Sequence, residues 1–186
     1  MLTRKSYKTE GVILKSSNFS EADKILTIFT KHFGKVSVIA KGIRRITSRK
    51  GGNLELFNQV RIFVAKGKNM DIVTEVEVIN SFSNWRKNLE KVAVAYQLCE
   101  LVDKLSAEEV ENREVYELML NYFSNLSSIT NYQLLITNFE VSLLQSLGFW
   151  PKGKAVGNLN LDAYIEDLIN RKLMAKKFLR RVCSAL

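Results

Sequence analysis

The sequence predicts an α+β protein: a small five-stranded β-barrel over residues 1–82, followed by an all-α helical domain over residues 83–186. Three observations predict it. The hydrophobic period is two from Tyr7 to about Phe82, the spacing of half-buried strands, and 3.6 thereafter, the spacing of amphipathic helices. Charge divides at the same place: residues 1–82 carry 15 basic and 7 acidic side chains, and residues 83–186 carry 13 and 12. Turn signals, His32-Phe33-Gly34-Lys35, Gly51-Gly52-Asn53 and Gly67-Lys68-Asn69, cut the first half into strand-length pieces.

Each strand has its own pattern. Val12 and Leu14 alternate with Ile13 and Lys15, and the β-branched run Lys24 to Thr30 forms a second strand. Val36, Val38 and Ala40 alternate with Ser37, Ile39 and Lys41. Val60, Ile62 and Val64 alternate with Arg61, Phe63 and Ala65, and Ile72, Thr74, Val76 and Val78 with Val73, Glu75 and Glu77. Five strands in about 80 residues suit a closed barrel. In the second half Val92, Ala95, Tyr96, Cys99 and Val102 mark one helix, and Glu109 to Tyr122 a second. Tyr132 to Leu147 form a third, N-capped by Asn131 and stopped by Gly148 and Pro151. A loop from Lys152 to Asn160 precedes one final helix, Leu161 to about Cys183.

Composition excludes much. The longest apolar run is five residues, Val92 to Tyr96, where a membrane span needs about 20. The N-terminal MLTRKSYKTEG lacks a secretory apolar core, so a cytoplasmic location is expected. His32 is the only histidine, and Cys99 and Cys183 lie 84 residues apart, so four zinc ligands cannot be gathered; the cysteines read as small buried hydrophobes. No GxxxxGK[ST], GxGxxG, HExxH or GxSxG motif is present, and neither an enzyme nor a cofactor is expected. Glu10, Glu21 and Asp23 are the nearest approach to a cation site, and capping or salt bridging accounts for them more simply.

The net charge of +9 resides almost wholly in the first half, which suggests a polyanion partner. Its centre is the ten-residue run Lys41 to Lys50, five of them basic: Lys41, Arg44, Arg45, Arg49 and Lys50. Lys15, Lys24, Lys35 and Arg61 lie on or beside the strands and extend the expected DNA-binding patch. Phe19, Phe29, Phe33, Phe57 and Phe63 are interleaved; most should fill the barrel, Phe29 among them, leaving one or two for base stacking. Physics alone does not choose DNA over RNA, and an RNA-binding protein of translation or RNA processing is the alternative.

The block from Glu10 to Arg45, EGVILKSSNFSEADKILTIFTKHFGKVSVIAKGIRR, resembles the N-terminal domain of the bacterial recombination-repair mediator family RecO. Its hallmarks are Ser20-Glu21-Ala22-Asp23, Leu26 to Thr30, and Ala40-Lys41-Gly42-Ile43-Arg44-Arg45; Leu54 to Phe57 and Leu147-Gly148-Phe149-Trp150-Pro151 continue the likeness. The resemblance implies an N-terminal OB-fold and an α-helical second domain. It also implies binding of single- and double-stranded DNA, annealing of complementary strands, and work with RecR to load RecA onto strands coated by single-strand-binding protein (SSB). Many members carry a four-cysteine zinc module after the LGF-P segment. Here that place reads Lys152 to Asn160 without a cysteine, so zinc is not carried over. A second basic face is expected on the final helix, from Lys172, Lys176, Lys177, Arg180 and Arg181, as a solvated surface, an extension of the DNA path or a cradle for the acidic SSB C-terminal tail.

Overall fold

The structure, a computed structural model, describes residues 5–45, 51–157 and 159–184, with the side chains of 183 and 184 excepted. Five strands, β1 (Ser6–Asn18), β2 (Lys24–Thr30), β3 (Gly34–Ala40), β4 (Gln59–Ala65) and β5 (Asp71–Asn80), close into a barrel in the order β1-β2-β3-β5-β4. β1 is long enough to pair with β2 along one stretch and β4 along another, which closes the ring. All pairings are antiparallel except β3 with β5, which is parallel over only Val38–Asp71 and Ile39–Ile72.

The interior is aliphatic: Ile13, Leu26, Ile28, Val38, Ile62, Val64 and Val73 are at most 1% exposed, each worth roughly 1.5–3 kcal/mol of burial. Three register shifts interrupt the ladders, at Ile13/Lys15, Gln59/Val60 and Phe63/Val64, and the first and last alter the expected alternation. A shift between Ile13 and Lys15 puts Ile13 inside, with Val12 and Leu14 buried on the other side of β1. A shift opposite Phe63/Val64 makes Thr74 the extra residue of β5. Thr74 is exposed, its hydroxyl donating to Phe63 O at 3.0 Å, and Val73 takes the interior place expected for Ile72 and Thr74. Phe29 is fully buried, but strand alternation sets it opposite Ile28 and outside the barrel interior, correcting its expected core position. Gly11 permits the tight curvature of β1: a Cβ there would lie 2.6 Å from Ile28 Cγ2.

The helical half contains α1 (Leu89–Leu105), α2 (Arg113–Asn125), α3 (Tyr132–Ser146), α4 (Leu161–Ile169) and α5 (Ala175–Ser184). α1 is its centre, with nine of 17 residues buried, Cys99 among them. Asn88, Asn131 and Asn160 cap α1, α3 and α4 by accepting from the N–H three residues on. Phe82, Trp85 and Phe123 form an aromatic cluster, and Trp85 Nε1 donates to Phe123 O at 2.9 Å.

Two expected helices are corrected. Residues 109–112 are not helical: Glu109 has φ 57°, and its N–H donates to Lys35 O at 2.9 Å. The expected single C-terminal helix is two, because Asn170 adopts the left-handed conformation (φ 50°) that ends α4. α5 then restarts with its first N–H groups held by α1: Glu100 accepts from Met174 N at 2.9 Å and Ala175 N at 2.7 Å.

The chain divides into two compact units, residues 1–81 with 107–113, and residues 82–106 with 114–186. The internal segment 107–113 therefore belongs to the barrel unit, where Glu108 bridges in parallel to Lys35. Gly34 is required beneath it: its φ is +62°, and a Cβ would lie 2.0 Å from Val110 O. Among the described residues no helix is long and apolar enough to cross a membrane.

Candidate nucleic-acid interface

At one end of the barrel the β1–β2 turn and the turn after β3 are laced together. Asp23 Oδ1 accepts from Gly42 N at 2.8 Å, and Ala22 O accepts from Arg44 N at 3.0 Å. Arg44 Nη1 donates to Ser20 O at 3.1 Å, while Ile43 is buried, 5% exposed, and anchors the second turn. Phe19 N donates back to Asp23 O at 3.1 Å, closing the first turn. The result is a fixed platform presenting Lys41, Arg44 and Arg45 to solvent. Lys24 is half-buried beside them at the start of β2, and Lys15 is exposed on β1 opposite Thr27. Arg49 and Lys50 lie outside the described residues. Fixed backbone and long, exposed cationic side chains suit phosphate contact, which needs charge and reach more than shape.

The structure does not bring all the expected basic residues to this end. Lys35 is only 8% exposed, because the start of β3 lies under segment 107–113; it is removed from the accessible patch. Arg61 lies on the outer face of β4 between two carboxylates, Nη1 at 2.8 Å from Glu77 and Nη2 at 2.9 Å from Glu10. Those bonds raise its already high pKa and cancel its field, so Arg61 adds little attraction for a polyanion. Glu10 and Asp23 are thus each committed to a local partner, and among the described residues no three His, Cys, Asp or Glu side chains gather as a metal site.

Glu108, Glu109 and Glu111 sit on the strap 107–113 near the β2–β3 turn, where Glu111 is 3.7 Å from His32. The acidic strap marks one end and Lys41, Arg44 and Arg45 the other. A local pattern search misses the strap, since Glu108 to Glu111 read as the start of a helix.

In the helical unit Lys177, Arg180 and Arg181 are exposed on α5, as expected. Lys172 stands in the turn before α5, not on the helix. Lys176 is corrected: its side chain is 17% exposed and pairs with Asp162 of α4. Nearby, Glu140 of α3 is 3% exposed and Gln97 of α1 is 1% exposed. One oxygen of each has no hydrogen-bond partner. Burial pushes the Glu140 carboxyl up to about 7, against the smaller pull of Lys176 and the Gln97 hydrogen bond.

A five-stranded barrel of this strand order with a cationic end is an OB-fold, here joined to a helical unit. The family model "Recombination protein O N terminal" matches residues 3–82, and "Recombination protein O C terminal" matches residues 86–155. The protein named DNA repair protein RecO from Roseiflexus sp. (strain RS-1) is 36% identical over 146 residues, covering 78% of this chain and 51% of that protein. Its counterpart from Dehalococcoides mccartyi (strain ATCC BAA-2266 / KCTC 15142 / 195) is 34% identical over 152 residues, covering 82% and 60%. That from Symbiobacterium thermophilum is 34% identical over 146 residues, covering 78% and 58%. The chain belongs to the RecO family. It spans between half and three-fifths of the length of these relatives.

Proposed function

We propose that this chain is a DNA-binding mediator of recombinational repair, without a catalytic centre, that holds single strands and anneals complementary ones. Membership of the RecO family supports the repair role, and one observation carries the binding mode: Lys41, Arg44 and Arg45 exposed on turns locked by hydrogen bonds at one end of the barrel. Annealing follows from phosphate binding. Two strands repel at every phosphate, and a cationic surface that neutralises part of that charge lets complementary bases meet. Lys15 and Lys24 flank this surface, and in sequence the basic run continues to Arg49 and Lys50.

RecR is the proposed partner in loading RecA onto SSB-coated strands. The exposed face of α5, Lys177, Arg180 and Arg181, is the proposed cradle for the acidic SSB tail. The test is fluorescence-monitored annealing of complementary DNA strands, naked and SSB-coated, with the full chain. Acceleration of both is expected. Absence of annealing with naked strands, or tighter binding to RNA than to DNA of the same sequence, would overturn the reading.

A further inference from the structure

The sequence offers five phenylalanines in the barrel half as stacking platforms, and the structure separates them. Phe29 and Phe57 are buried, at 0% and 4% exposed. Phe33 packs on Tyr7 with ring centroids 4.5 Å apart, at the end of the barrel that carries the acidic strap. Phe63 is 37% exposed but pairs across from Glu75, next to the Glu10–Arg61–Glu77 network, a surface with no excess positive charge. Phe19 differs from all four. It is 57% exposed in the β1–β2 turn. The adjoining Ser20 carbonyl accepts from Arg44 Nη1 at 3.1 Å, so the phenyl ring and the guanidinium share one rigid platform.

With more than half of its surface in water, the Phe19 ring gives the fold less than a buried phenylalanine would, and the turn that carries it is held by Phe19 N to Asp23 O and Gly42 N to Asp23 Oδ1. Its chemistry fits a flat, weakly polar π-face that arrives with a phosphate attached. Resting on the DNA-binding reading above, we propose that Phe19 stacks on an unpaired nucleobase while Arg44 and Arg45 hold the flanking phosphates, so that this surface prefers single strands to duplex. In a duplex the base faces are covered by their neighbours and only the phosphates are available. Stacking therefore adds to single-strand affinity alone.

The experiment measures binding of the full chain to an oligo-dT strand and to a blunt-ended duplex of two complementary strands by fluorescence anisotropy, for the parent, Phe19→Ala and Phe19→Trp. Phe19→Ala should lose roughly fivefold or more in single-strand affinity and keep its duplex affinity and melting temperature. The indole introduced by Phe19→Trp should restore affinity, and its emission should be quenched by oligo-dT beyond any change in the parent, which has Trp85 and Trp150 as background. Equal loss on both DNAs, no loss on either, or an unquenched indole would overturn the assignment while leaving the phosphate-binding surface standing. A parent chain that binds neither DNA would overturn the function and this inference together.

Discussion

Replacing Glu140 by Gln should make the protein more stable at alkaline pH and remove part of its pH dependence. Glu140 lies on the buried side of α3 with one carboxylate oxygen unpartnered, and burial raises its pKa from an ordinary 4.5 to about 7. The folded state thus keeps the proton to about pH 7, whereas the unfolded chain releases it near 4.5. Between those values the folded state binds more protons, so stability falls as pH rises and the full penalty stands above about 7. At about 1.4 kcal/mol per pH unit of difference, the ceiling is about 3 kcal/mol. Gln preserves shape and the bond to Gln97 without an ionisable proton. Melting temperatures of parent and Glu140→Gln should run parallel below about pH 4.5 and diverge to about pH 8, the variant ending roughly 10 °C or more higher for a unit of about 100 residues. All other titrating groups are common to both proteins, so the difference isolates this one. Parallel curves across that whole range would show that the carboxyl is solvated or paired when ionised.

Changing Arg44, Arg45 and Arg49 together to Ala should weaken DNA binding and annealing while costing the fold little beyond the Arg44–Ser20 hydrogen bond, about 1 kcal/mol. The steepness of the log–log salt dependence on single strands should drop by about 0.7 for each phosphate no longer neutralised, a shift that parallel salt titrations would detect. Phe29→Ala should cost about 3–5 kcal/mol in urea denaturation, as for other fully buried aromatics, even though Phe29 is not in the barrel interior. Reversing Lys177 and Arg180 to Glu, in preference to the half-buried Lys176, should leave the fold and naked-strand annealing intact and abolish binding of an SSB-tail peptide, measured by calorimetry.

Local periodicity made most elements legible and left their junctions obscure. β2 occupies Lys24–Thr30, the residues of its β-branched run, and Asn131 and Gly148 bound α3 as their chemistry suggests. The bulges near Leu14 and Thr74 were not legible, since an extra residue in one strand shows only against its partner's register. Asn170 looks like any polar position of a helix until its φ of 50° breaks the run into α4 and α5. The candidate site divides the same way. Lys41, Arg44 and Arg45 could be read from composition, because a cluster close in sequence stays close in space. Arg61 and Lys35 could not, because the carboxylates beside Arg61 and the strap over Lys35 come from distant parts of the chain.

Segment 107–113 bears on how the chain is made. β3 meets β5 at only two residue pairs, so its first half, Gly34 to Ser37, presents an open edge to which Glu108 and Glu109 are added. An open strand edge invites pairing with a second chain. Residues emerge from the ribosome in order, so the barrel waits for its last piece until all of α1 has been synthesised. During that interval the nascent barrel carries its aggregation-prone edge uncovered. A fragment cut at residue 82 would carry it permanently, while one cut at residue 113 would cover it but bring along α1 without the rest of its own unit, so the two units are best made together.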